Sequence, residues 1–70
     1  MKIIFTKHAL ARSKSRKVTL QEVKDAINFP DKTSKRYGKY YFSKSLVRGK
    51  IEVVSEKRKT FLYIITIYWI

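Results

Sequence analysis

The sequence predicts an α+β domain, with two N-terminal helices packed on one face of a three- to four-stranded antiparallel sheet. Three observations carry that expectation. Residues 19–30, TLQEVKDAINFP, form a capped amphipathic stretch closed by a proline. Residues 40–56 alternate apolar and polar side chains around a turn at Arg48-Gly49. The chain closes on FLYIITIYWI, a run rich in the β-branched and aromatic types that favour strands.

The elements follow in order. KIIF, residues 2–5, reads as a short strand, and Thr6 is placed to cap a helix over about 7–16. That helix is polar almost all round, and Leu10 is its expected core anchor. Thr19 opens the second helix with the capping box TLQE, in which Thr19 and Glu22 satisfy each other's backbone amides. Leu20, Val23 and Ile27 form its apolar stripe, with Ala26 at the edge. Pro30 ends it, because the residue before a proline avoids helical angles. DKTSKRYGK, residues 31–39, reads as loop or frayed strand. YYFSKSLV sets Tyr40, Phe42 and Leu46 on one face, with Lys44 interrupting the row. KIEVVSE sets Ile51 and Val53 against Glu52. In the closing strand, strict alternation puts Phe61, Tyr63, Ile65, Ile67 and Trp69 on one face and Leu62, Ile64, Thr66, Tyr68 and Ile70 on the other. Both faces are apolar, so this strand is expected to be central in the sheet, or covered on both faces. Short connections make the last three strands a meander, and the face away from the helices is left as a basic surface.

Seventy residues make one domain, spanning 1–70, and a small one. Seventeen Lys and Arg face five Asp and Glu, a net charge of +12. The surplus is spread along the chain, +7 over residues 1–36 and +5 over 37–70. Such a field attracts polyanions, nucleic acid first and an anionic membrane surface second. The absence of cysteine and the single histidine rule out a Cys/His metal site. MKIIF is too short for a signal-peptide core, and residues 61–70 are about half the length of a bilayer span. A cytoplasmic protein with no membrane association is expected.

One constellation stands out. His8, Arg12 and Arg16 recur every fourth residue, on one side of a helix. Three such groups without an acid beside them suit a phosphate, with guanidinium forks on its oxygens and the imidazole moving a proton. The same spacing also suits a histidine bonded to backbone beside two arginines on a solvated face. Thr66 and Tyr68, two apart, share a face of the last strand and are its polar members. Arg48, Lys50, Lys57, Arg58 and Lys59 gather at the meander's turns.

Missing motifs narrow the chemistry. The five acids are scattered, with no convincing pair for Mg²⁺, and there is no glycine-rich phosphate loop or serine elbow. No cofactor is expected. For an enzyme acting on nucleic acid, one route remains in view: RNA cleavage by the substrate's own 2′-hydroxyl. It needs a base, cations for the charge on phosphorus and an acid for the leaving oxygen.

TKHALARSKSR, VTLQEVKDAINFPD and the closing ITIYW, taken in that order, resemble a group of small prokaryotic domains of unknown function. The group's pattern is H-A-x-x-R-x-x-x-R, a second helix ending in a proline, and a closing strand with T-x-Y. It maps here onto His8, Ala9, Arg12 and Arg16, then Pro30, then Thr66 and Tyr68. By fold the group is placed with RelE- and BrnT-like toxins, in the wider barnase–EndoU–colicin–RelE nuclease assemblage. The resemblance implies a RelE-like arrangement of two helices on an antiparallel sheet. It also implies a metal-independent ribonuclease, often a toxin neutralised by an antitoxin.

The combined expectation is an mRNA-interferase-like RNA-cleaving domain. His8 is general acid or base, Arg12 and Arg16 hold phosphate, Tyr68 donates a proton or stacks, and Thr66 positions the phosphate. Arg48 and Lys50 are candidates for the toxins' strand-borne cations, and Lys14 adds to the nucleic-acid contacts. RNA, free or on the ribosome, is the expected partner, together with an acidic antitoxin protein. The alternatives are a non-catalytic RNA- or ribosome-binding module and a protein whose charge serves only to meet an acidic antitoxin.

Overall fold

The computed structural model describes residues 2–70. The elements are β1 (Lys2–Phe5), α1 (Lys7–Ser15), α2 (Leu20–Asn28), β2 (Lys32–Arg36), β3 (Lys39–Leu46), β4 (Gly49–Arg58) and β5 (Phe61–Trp69). All strands join one sheet in the order β1-β5-β4-β3-β2. From β2 to β5 the pairing is an antiparallel meander, whereas β1 lies parallel to β5.

The fold is therefore α+β with two helices, but its sheet is five-stranded and mixed, not three- to four-stranded and antiparallel. Two segments account for the difference. KTSKR has no apolar residue, yet it pairs along its whole length with β3, from Lys32 opposite Ser43 to Arg36 opposite Lys39. An edge strand is held by backbone bonds on one side, and charged side chains there discourage further pairing. KIIF is apolar enough to be a strand, and its direction is set by where the chain must go next. Both helices intervene before the meander, and that crossover permits a parallel partner.

The helices cover one face. α1 docks through Ala9 and Ser13, both buried, whereas Leu10 is 44% exposed. Small side chains let the helix axis come close to β5, and Leu10 points a third of a turn away from that contact. Thr6 caps α1 by accepting from the Ala9 amide at 3.1 Å, and its hydroxyl donates to the Ile64 carbonyl at 2.7 Å. In α2 the capping box of Thr19 and Glu22 is formed. Val23 and Ala26 are buried and Ile27 packs against the core, while Leu20 is largely exposed.

The core closes between these helices and Ile51, Val53, Leu62, Ile64 and Ile67, with Trp69 packed against it. Leu62 and Ile64 therefore share a face with Ile67 and Trp69, against strict alternation. A β-bulge explains this. Val54 pairs with Thr66 and Ser55 with Ile64, so Ile65 is an extra residue that resets the phase of β5.

Among the described residues no helix covers the opposite face. Cross-strand pairing places Lys32, Ser43, Glu52 and Tyr68 on it in a row across four strands. Among the described residues no helix is long and apolar enough to cross a membrane.

Candidate functional site

The expected site residues separate into two groups, with the sheet between them. His8 and Arg12 sit exposed on α1, on the covered face, and the Arg12 Nε donates to the His8 Nε2 at 3.3 Å. Lys14 is exposed on the same helix. Thr66 and Tyr68 are half-buried on the open face, opposite Val54 and Glu52. His8, Arg12, Thr66 and Tyr68 do not share one surface.

Two of the expected cations are engaged elsewhere. β1 ends where Phe5 meets Ile64, so among the described residues the rest of β5 has no strand on that side. Arg16 fills part of the gap, its Nη1 donating to the Ile67 carbonyl at 2.6 Å while its own carbonyl accepts from the Trp69 indole at 2.9 Å. Arg48 forks onto Glu22, at 2.6 and 2.8 Å, and its Nη2 also donates to the Lys17 carbonyl. Its guanidinium stands 5.4 Å from the Trp69 ring. That fork and the capping bond from Thr19 hold the Glu22 carboxyl well below its ordinary range, at about 2. Lys50 is exposed on β4 near Asp31, whose carboxyl is held low by the Ser45 amide.

The open face holds a different cluster. Lys32, Ser34, Arg36, Tyr41, Ser43 and Glu52 line a groove of about 330 Å³. Glu52 is central, on the strand between β3 and β5, and its side chain is only 17% exposed. It accepts a hydrogen bond from the Tyr68 hydroxyl, and the Arg36 Nη2 stands 3.7 Å from the same carboxylate oxygen. Arg36 in turn lies over the Tyr41 ring at 3.9 Å, a cation–π contact that holds the guanidinium over the groove. Burial, followed by the bond to Glu52, pushes the Tyr68 phenol up to about 12. Tyr68 therefore keeps its proton at neutral pH and is a hydrogen-bond donor there. Among the described residues no three His, Asp or Glu side chains come together as a metal site.

This arrangement can place an anion between Arg36 and Lys32, with a proton acceptor, Glu52, and a proton donor, Tyr68, already linked beside it. The family model described as Domain of unknown function (DUF4258) matches residues 5–69. The chain belongs to that family. The DUF4258 match takes in both helices and β2 to β5, and so includes the groove and the His8–Arg12 pair alike. No curated protein and no solved structure matches the chain.

Sequence reasoning missed Glu52, Arg36, Lys32 and Tyr41 as members of this DUF4258 groove. One signal was present. Glu52 is the one charge in IEVV, in the middle strand of the expected meander, where a carboxylate needs partners. Lacking any apolar residue, KTSKR carried no period by which to read it as a strand.

Proposed function

We propose that this DUF4258 domain is a metal-independent, mRNA-interferase-like ribonuclease, using the 2′-hydroxyl of RNA as nucleophile on the open face of the sheet. One observation carries the reading: the linked Tyr68, Glu52 and Arg36 in a groove that also presents Lys32. Glu52 takes the 2′-hydroxyl proton as that oxygen attacks phosphorus. Arg36 and Lys32 hold the charge that gathers on the phosphoryl oxygens. The bond from phosphorus to the 5′-oxygen breaks, and Tyr68 gives that oxygen its proton. The proton on Glu52 then returns to Tyr68 through their hydrogen bond, which restores both groups. The products are a 2′,3′-cyclic phosphate and a 5′-hydroxyl. DNA, which lacks the nucleophile, is not cut.

In this reading the acid–base roles pass from His8 to Glu52 and Tyr68, and His8 and Arg12 form a separate basic patch. HALARSKSR and TIY resemble the group of small domains that is placed by fold with RelE- and BrnT-like toxins, and that placement supports the same chemistry. It also supports a cytoplasmic toxin held by an acidic antitoxin, a partner that the +12 charge suits. The test is incubation with RNA and with the matching DNA in chelator. RNA alone should be cut, to cyclic-phosphate ends. Glu52→Gln should lose at least about a hundredfold in rate, the scale of one general acid or base, and His8→Ala should stay near wild type. Cleavage lost in His8→Ala and kept in Glu52→Gln would sink this assignment. RNA binding without cutting would favour the non-catalytic RNA- or ribosome-binding module.

A further inference from the structure

We infer that Phe61 and Tyr63 form a base-stacking subsite for single-stranded RNA, separate from the groove and at the other end of the same strand face. The inference rests on the reading that RNA lies on the open face. Register places both rings there: Phe61 pairs with Arg58 and Lys2, Tyr63 with Glu56, while Leu62 between them enters the core. Both side chains are half-buried. Their centroids are 6.3 Å apart at an interplanar angle of 67°, so one ring supports the other edge-on.

Each ring already has a cation over it. The Lys2 ammonium is 5.9 Å from the Phe61 centroid, and the Arg58 guanidinium is 5.4 Å from that of Tyr63. The one acid nearby, Glu56, is paired to Arg58 at 3.1 Å. A sequence-tolerant single-strand site needs rings for bases and cations for phosphates, and a base that stacks on either ring moves the flexible Lys2 or Arg58 side chain aside, toward the phosphates next to it.

Tyr63 and Tyr68 lie on the same strand about 15 Å apart, at the rise of extended backbone. One nucleotide cannot bridge that span. The stacked base therefore belongs to a nucleotide beyond the pair that flanks the scissile bond, and the ligand is an oligonucleotide, not a dinucleotide. The half-buried Thr66 and the buried Val54 floor the path between the two ends.

The test measures binding of uncleavable 2′-O-methyl RNA to the full chain by fluorescence anisotropy at low salt, with a hexanucleotide and a dinucleotide as probes. Tyr63→Leu and Phe61→Leu keep an apolar side chain at each site and should each weaken the hexanucleotide roughly tenfold. The dinucleotide should bind as to wild type, and Tyr63→Phe, which keeps the ring, should retain hexanucleotide affinity. Thermal melts confirm that the variants fold. An unchanged hexanucleotide affinity in both leucine variants overturns the subsite, as does an equal loss for both probes. Failure of wild type to bind either probe also overturns it and leaves this face to a protein partner. Cleavage by wild type is read separately: ring-dependent binding without cleavage keeps the subsite and removes the nuclease.

Discussion

At the scale of single residues, Arg48 shows how a cation can be conspicuous in a sequence and already occupied in the fold. It was a candidate for stabilising charge on phosphorus. Instead it ties the β3–β4 turn to the start of α2, through Glu22 and the Lys17 carbonyl. The consequence is a dependence on acid. Glu22 has its carboxyl lowered from an ordinary 4.5 to about 2, so its contribution to stability is complete above about pH 4.5 and is lost as pH falls toward 2. Replacing Arg48 by methionine removes the partner. We expect a melting temperature lower on the order of a few degrees at pH 7, because half-exposed pairs are screened. We also expect a flatter loss of stability between pH 4.5 and 2 than in wild type, where Glu22 takes up its proton and loses its bond to Arg48 over that range. Thermal melts across that range check it, and parallel acid limbs in the two proteins would contradict it. Nothing in the local sequence announces this pair: Glu22 and Arg48 are far apart in the chain, and Glu22 was legible only as the second half of a capping box.

At the scale of elements, β5 is the instructive case. Its length and composition, and a place inside the sheet, follow from FLYIITIYWI, because a strand apolar on both faces has to be paired on both edges or covered on both faces; β4 runs along one edge of it and β1 along the other over Phe61–Ile64 only. Its phase does not follow, since one extra residue at Ile65 resets which side chains meet the helices. The pairing makes a specific prediction. Deleting Ile65 leaves Ile64 and Thr66 adjacent and facing opposite sides, as their partners Ser55 and Val54 already do. The shortened chain should therefore keep its core and melt cooperatively, destabilised by about 1–3 kcal/mol. Were β5 a regular strand, the same deletion would turn Leu62 and Ile64 out of the core and the protein would not fold. Circular dichroism and a thermal melt distinguish the two. The helices show the same division. The Thr19 capping box and the stop before Pro30 were readable because they are local bonds and local clashes. The docking side of α1 was not, because Ala9 and Ser13 carry no hydrophobic signal and are chosen by how closely the helix approaches β5.

At the scale of the whole molecule, the layers divide the basic residues between two surfaces, one on α1 with His8 and Arg12 and one on the open face of the sheet with Lys32, Arg36 and Arg58. If RNA occupies the open face, its affinity must track salt, because each neutralised phosphate releases counterions. For three or four contacts on a single strand, affinity should fall at least about tenfold between 50 and 200 mM salt. Arg36→Gln should lower the slope by roughly one contact's share, while Arg12→Gln should leave it unchanged. Equal slopes for wild type and Arg36→Gln would place the RNA elsewhere. By itself the sequence determined the α+β class, the two helices and their caps, the closing strand inside the sheet and the polyanion-attracting charge. These depend on composition, on periodicity and on interactions within a turn or two of chain. Tertiary structure decided the strand count, the parallel placement of β1, the phase of β5 and which polar groups meet. Those depend on backbone pairing between distant segments, and pairing of that kind leaves no period in the chain for KTSKR or Glu52 to display.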